Sequence, residues 1–370
     1  MNKIEFLIAD IGIPVFYVKL VLGFLISFLI TFISIPTIIQ VSKRKNLMDE
    51  PSDRSSHIRK IPNLGGIAIF FSIGVCASIF AYELFDLYKF LFASLVILLY
   101  IGVMDDILMI KAYKKLFAQI LVSALIVIGS DVRIRDLFGI FGIHELNYFI
   151  SVAFSIFTFV ILINAFNLID GIDGLAGTYS VLCSALFGGS YFYLGEYNYP
   201  LVVFSAIIVG SVLAFLYYNL SKHRRVKIFM GDTGSMILGF LLAFTAINFI
   251  DIFIEKKIFG VPMYHLKSAP VIAVAILILP IIDTLNVILI RLFQKKSPFK
   301  ADKNHIHHRL LSLDLSHKKS TMYIISYYLF MILITYFLRH LENNLFLLII
   351  VGLGFLGAYM PNIILKLKKS

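Results

Sequence analysis

Eleven apolar runs, joined by connections too short to fold alone, restrict this chain more than any other feature. They cover residues 16–40, 64–82, 90–105, 116–130, 148–167, 174–194, 200–218, 235–253, 269–290, 321–339 and 345–365. A hydrocarbon core of about 30 Å takes about 20 helical residues to cross, and in lipid every backbone polar group must find its partner within the chain. The chain is therefore predicted to be an all-α polytopic membrane protein with about eleven transmembrane helices, forming one integral membrane domain over residues 1–370. Only 15% of its residues are charged, against about 25% in soluble domains, which excludes a soluble fold. The first run is longer than a secretory h-region of about 7–15 residues, so it reads as a retained anchor. Cys76 and Cys183 lie inside apolar runs, where cysteine behaves as a small hydrophobe rather than as a disulfide partner or a thiolate ligand.

Alternate loops differ in charge. One set carries 24 of the 33 Lys and Arg residues, the other carries 8, and Lys19 falls within the first run. Cytoplasmic loops are enriched in these residues, which places the N-terminus outside and the C-terminus in the cytoplasm. Topology and attraction to anionic lipid then account for the net charge of +11, and no nucleic-acid partner is expected. On this orientation four polar segments face the cytoplasm: "GVMDDILMIKAYKK", "NLIDGIDG", "NLSKHRRVKIFMGDTGS" and "KADKNHIHHRLL". The outward connections "ELFDLYK" and "YNYP" carry nothing comparable.

Five carboxylates in these segments (Asp105, Asp106, Asp170, Asp173 and Asp232) would repel one another unless protons or a cation offset them. Asp and Asn oxygens suit Mg²⁺, which commonly bridges protein to substrate phosphates, and Mn²⁺ shares that ligand preference. The surrounding Lys, Arg and His supply donors for phosphates, so the set describes a phosphoryl-transfer site in a cleft at the cytoplasmic face. Each motif alone has a plainer explanation. "NLIDGIDG" works as a helix connector with Asp caps, and it lacks the spacing of an EF-hand loop. "GDTGS" works as an N-cap, although its amides also suit an anion. Asp105 and Asp106 could be solvated residues at a helix end, but negative charge at a C-terminus opposes the macrodipole. His305, His307 and His308 could hold zinc, yet neighbouring Lys303 and Arg309 favour an anion. Asp283, one turn from Asn286, reads as a helix-packing group or a support for the site. A cation-coupled transporter is the rival from another class, since carboxylates in membrane helices often mark ion pathways. These carboxylates gather at helix ends instead, and no internal repeat is evident.

Taken together, "GVMDDILMIKAYKKL", "NAFNLIDGIDGLAG", "VKIFMGDTGSMILGF" and "ADKNHIHHRLL" resemble the polyprenyl-phosphate N-acetylhexosamine-1-phosphate transferases, glycosyltransferase family 4. The bacterial undecaprenyl-phosphate GlcNAc-1-phosphate transferases are the nearest branch in the pattern, with lipid I synthesis by phospho-MurNAc-pentapeptide transfer as the alternative. The resemblance implies transfer of a sugar 1-phosphate from a UDP-N-acetylhexosamine, UDP-GlcNAc first among them, to undecaprenyl phosphate, releasing UMP with Mg²⁺ required. The product would start a surface polymer such as an O antigen of lipopolysaccharide or a teichoic acid. The enzyme would lie in the bacterial cytoplasmic membrane, in contact with the bilayer, and a homodimer is compatible with it. By the same resemblance Asn167 and Asp232 are metal ligands, Asp105 and Asp106 the acidic pair near the acceptor, and Lys115 a phosphate-binding lysine. Asp173, Asn219 and Phe229 lie around the uridine, with Asp170 a further catalytic candidate. The segment with His305, His307, His308 and Arg309 surrounds the sugar or its phosphate, and Arg59 and Lys60 form another basic edge. A prenyl phosphate with a second pKa of about 6 is mostly dianionic at neutral pH. Direct attack on phosphorus, with Asp105 or Asp106 orienting the acceptor, is therefore expected over a covalent aspartyl-phosphate.

Overall fold

The computed structural model describes residues 14–48, 60–223, 225–254, 266–295 and 305–367, so Arg59 and residues 296–304 lie outside the described residues. Among the described residues every regular element is helical, with one isolated bridge between Asp136 and Glu145. The helices are α1 (Val15–Arg44), α2 (Gly65–Phe80), α3 (Glu83–Leu87), α4 (Leu91–Leu108) and α5 (Ala112–Ala124), which runs into a π turn at Leu125–Gly129. Then come α6 (Tyr148–Ile169), α7 (Leu175–Tyr193), α8 (Tyr199–Asn219), α9 (Gly231–Ile252), α10 (Ala269–Ile276) and α11 (Ile278–Phe293). The short α12 (Ile306–Leu311) precedes α13 (His317–Leu338) and α14 (Asn343–Leu367).

All eleven apolar runs fall on helices. By length and composition eight of the described helices can cross a membrane, or nine if α10 and α11 form one bent span. Two of the expected spans miss that mark for different reasons. α2 has only 16 residues, and α7 carries Gly, Ser, Thr and Tyr among its apolar residues.

The chain forms two compact units, interleaved along the sequence. Unit 1 takes residues 1–50, 60–132 and 177–238, and unit 2 takes 51–59, 133–176 and 239–370. Neither is a contiguous stretch, and α9 begins in the first and continues in the second.

In unit 1, α1 buries Gly23, Ser27, Thr31, Ile35 and Ile39, every fourth residue. That spacing keeps small groups on one face, which lets membrane helices approach closely. At its centre Thr31 Oγ1 donates to Ser72 Oγ at 2.7 Å, and Ser72 Oγ donates to Ser211 Oγ at 2.6 Å, joining α1, α2 and α8. Each such bond contributes about 0.6 kcal/mol in a membrane protein. The segment before α2, "IPNLGG", is laced to the segment before α9. Phe229 N donates to Pro62 O at 2.8 Å, Gly65 N to Phe229 O at 3.0 Å and Gly66 N to Met230 O at 2.8 Å.

In unit 2, α10 and α11 meet at a bend of 75°. Proline explains the break. In a continuous helix the Ile276 carbonyl would accept from residue 280, but Pro280 has no N–H. The Tyr328 hydroxyl on α13 donates to Ile276 O instead, at 3.0 Å, as a broken helix in lipid requires. Beside the break lies a small apolar recess lined by Ile278, Ile282, Ile306, Tyr327, Tyr328 and Met331.

Candidate active site

The chemistry-bearing residues of unit 1 gather where α4 ends and α5 and α9 begin. Met109, at φ 48°, turns the chain out of α4, and Ile110 N donates to Asp105 Oδ1 at 3.0 Å. Lys115, in the first turn of α5, reaches Asp105 Oδ2 at 2.9 Å and Asp232 Oδ2 at 3.0 Å. A cation near a helix N-terminus is disfavoured by the macrodipole, and here two carboxylates offset that cost. The side chains of Asp105 and Lys115 are 10% and 17% exposed, whereas that of Asp232 is 35% exposed. Asp232 is thus the acid of the three that is most open to a ligand.

Asp106 has different partners. Its Oδ1 accepts from Asp232 N at 2.7 Å, and its Oδ2 accepts from Thr233 N at 3.1 Å and from Thr233 Oγ1 at 2.6 Å. A charge that is unfavourable at the end of α4 is therefore set against the positive N-terminus of α9. Gly231 makes that approach possible. It sits at φ +73°, and a Cβ there would meet the Asn63 carbonyl and lie 2.7 Å from both Asp106 oxygens. Asn63 Nδ2 also donates to Asp106 O at 3.4 Å. Asn63 and Thr233 were not among the expected site residues. The signal for Asn63 was the polar "PN" one residue before Gly-Gly and an apolar run.

Of the other unit 1 candidates, Asn219 is buried and its Nδ2 donates to Ile228 O at 3.0 Å, tying the end of α8 to the strip before α9. Phe229 is half-buried, with Lys227 Nζ 5.8 Å from its ring centre. Lys60 is exposed at the start of "IPNLGG".

Unit 2 brings "NLIDGIDG" and "HIHHRL" together. Asn167 lies in the last turn of α6, and Asp170 caps that helix, its N–H bonded to Asn167 O at 3.3 Å. Asp173 accepts a hydrogen bond at its carbonyl from Thr321 Oγ1 at 2.9 Å, and its Oδ2 lies 3.5 Å from His317 Nδ1. The His307 ring rests on Gly171. A Cβ at residue 171 would come closer than 3.0 Å to Nε2, Cε1 and Cδ2 of that ring. Burial drives the His307 pKa down to about 3, against the opposing pull of Asp283, so the imidazole is neutral at physiological pH.

Two of the expected substrate contacts are engaged inside unit 2. His305 is 6% exposed, with Nδ1 2.8 Å from Asp283 Oδ2. Arg309 is 6% exposed and donates from Nη1 to Ala358 O at 3.2 Å. With its carboxamide turned so that oxygen faces the guanidinium, Asn286 accepts from Arg309 Nη2 at 3.1 Å and donates to Tyr359 Oη at 3.2 Å. Arg309 thereby joins α12 to α11 and α14. His308 is the least buried of the three histidines.

Among the described residues no three His, Cys, Asp or Glu side chains form a metal cage. Mg²⁺ does not require one, since it is usually held by one or two carboxylates with water and substrate phosphates completing its shell. The part-exposed carboxylate of Asp232 suits that mode.

The sequence has relatives. Residues 88–250 match the family described as glycosyl transferase family 4. The chain is 30% identical over 318 residues to a probable undecaprenyl-phosphate N-acetylglucosaminyl 1-phosphate transferase of Bacillus subtilis, covering 83% of this chain and 81% of that one. It is 28% identical over 347 residues to the decaprenyl-phosphate N-acetylglucosaminephosphotransferase of Mycolicibacterium smegmatis, covering 87% and 83%. With the undecaprenyl-phosphate alpha-N-acetylglucosaminyl 1-phosphate transferase of Escherichia coli K12 the identity is 28% over 295 residues, covering 77% and 74%. The helical membrane architecture and these matches together show that the chain belongs to glycosyl transferase family 4 and is a multi-pass membrane transferase.

Proposed function

We propose that this enzyme transfers N-acetylhexosamine 1-phosphate, with GlcNAc 1-phosphate the first choice, from a UDP-sugar to undecaprenyl phosphate. The products are the lipid diphosphate sugar and UMP, and the lipid product starts a cell-surface polysaccharide. The reading draws on the reactions for which the relatives are named and on one observation above all: Lys115 bridges Asp105 and Asp232 at the ends of membrane helices. A cation held beside a part-exposed acid suits the binding of a lipid phosphate and a soluble nucleotide. The uneven distribution of Lys and Arg supports a site on the cytoplasmic side of a bacterial membrane.

The acceptor phosphate oxygen attacks the phosphorus that carries the sugar, and the bond from that phosphorus to the uridylate oxygen breaks. Charge balances without a proton: two dianions react and two dianions leave. No general base is needed, so the acids serve position and electrostatics. Lys115 takes the acceptor phosphate, and Asp105 holds the direction of its Nζ. Asp106, committed to the first turn of α9, holds Asp232 in place. Asp232 and Asn167 would hold Mg²⁺, which supplies charge neutralisation on the diphosphate when bound. Asp173, Asn219 and Phe229 serve the nucleotide, and neutral His307 with His308 serves the sugar phosphate.

The test is UMP release from purified protein, undecaprenyl phosphate, Mg²⁺ and a panel of UDP-sugars, with and without a chelator. UDP-GlcNAc is expected to give the highest rate and chelation to stop it. No UMP from any donor would overturn the reading.

A further inference from the structure

Asp283 has no part in that scheme, yet it is 1% exposed within an apolar helix of a membrane protein. A carboxylate in such a place is costly unless it is paired. Both of its oxygens are paired, and both partners belong to the histidine segment. Oδ2 lies 2.8 Å from His305 Nδ1, and Oδ1 accepts from Ile306 N at 2.8 Å. The second bond caps the first residue of α12, a helix of only six residues, too short to persist without tethers. The first bond fixes a tautomer. With the carboxylate as acceptor at both oxygens, Nδ1 of His305 carries the proton and Nε2 is the nitrogen left for other partners. The His305 ring is nearly parallel to that of His307, at 9° with centres 5.8 Å apart, and His307 rests on Gly171.

We infer that Asp283 is a positioning residue for the donor side of the reaction: it orients His305 and anchors α12, so that His307 is held against the "IDGIDG" turn. The inference rests on the proposed transfer for its kinetic consequences, while the Asp283–His305 pairing stands independently of it.

The experiment combines a spectrum with a mutant cycle. In lipid bilayers, nitrogen NMR of histidine-labelled protein, assigned by loss of a signal in His305→Gln, is expected to show His305 protonated at Nδ1. Asp283→Asn, which keeps an acceptor for Ile306 N, is expected to move that proton partly to Nε2. Asp283→Asn and His305→Gln are each expected to lower kcat/KM for the UDP-sugar by roughly tenfold or more, with KM for undecaprenyl phosphate unchanged. The double variant is expected to be no worse than the poorer single one within about twofold, the behaviour of residues acting as one unit. A wild-type His305 protonated only at Nε2 would overturn the inference, as would losses that multiply or full activity in Asp283→Asn. If Asp283→Asn does not fold, the wild-type spectrum and the His305→Gln kinetics decide on the same criteria. Absence of UMP from the wild type would defeat the transfer reading while leaving the His305 spectrum to judge the pairing.

Discussion

Asp105 and Asp106 are neighbours with opposite surroundings, one on a lysine side chain and the other on the amides of α9. Asp106→Ala is expected to lower stability by about 1–2 kcal/mol, the range for a lost cap, and to lose activity with it. Asp105→Asn is expected to lose activity with a smaller change in melting temperature. Paired thermal denaturation and UMP assays in detergent check both. "DD" alone could not show this division, because the partners of the Asp106 carboxylate come from more than 120 residues away. His307 allows a pH test. Its folded pKa of about 3 lies below the ordinary 6.5, so between those values the unfolded chain binds more protons. The stability due to the neutral ring is therefore present above about 6.5 and is lost as pH falls toward 3. The margin in melting temperature between wild type and His307→Gln is expected to shrink from pH 7 to pH 4.5. A constant margin would contradict the burial argument. "HIHHRL" marked this segment as polar, but that His305 and Arg309 turn inward was not legible, since their partners Asp283, Asn286 and Ala358 lie on α11 and α14.

At the scale of elements, the bend between α10 and α11 is braced by the Tyr328 hydroxyl. Tyr328→Phe removes the hydroxyl that donates to the Ile276 carbonyl and is expected to cost about 1–3 kcal/mol, read as a lower melting temperature. Pro280 signalled the break in the sequence, whereas its compensation by a tyrosine 52 residues away from Ile276 did not. Broken helices also occur in transporters, but here the Ile276 carbonyl accepts from Tyr328 and the Asp283 carboxylate pairs with the histidine segment. The contact between the "IDGIDG" turn and α12 is equally specific. Gly171→Ala must push the His307 ring aside and is expected to lower kcat by roughly a hundredfold, the scale of a misplacement of about 1 Å. An alanine variant with wild-type kcat would show that the ring's place is unimportant.

Across the whole molecule, the apolar runs made the helical membrane class legible and placed a helix on every run. Among the described residues nine of the eleven runs qualify as spans by length and composition, with α10 and α11 counted as one, while α2 is shorter and α7 less apolar than the others. Interleaving of the two units was invisible, since nothing in composition marks residues 59, 132, 176 or 238 as borders. Asp232→Ala is expected to abolish turnover, and titration of Mg²⁺ against UMP release is expected to show no recovery at high metal. Activity with unchanged Mg²⁺ dependence would refute the metal role. The lacing of "IPNLGG" to the strip before α9 also matters to anyone engineering a sturdier form of the enzyme for purification. Replacing a helical glycine by alanine normally stabilises by about 0.4–1 kcal/mol through the unfolded chain. At Gly66 the added methyl would lie 2.5 Å from Gly234 Cα, inside the contact that seats Asp232. A protocol guided by helix propensity would select this position as an improvement and would dismantle the site it was meant to preserve.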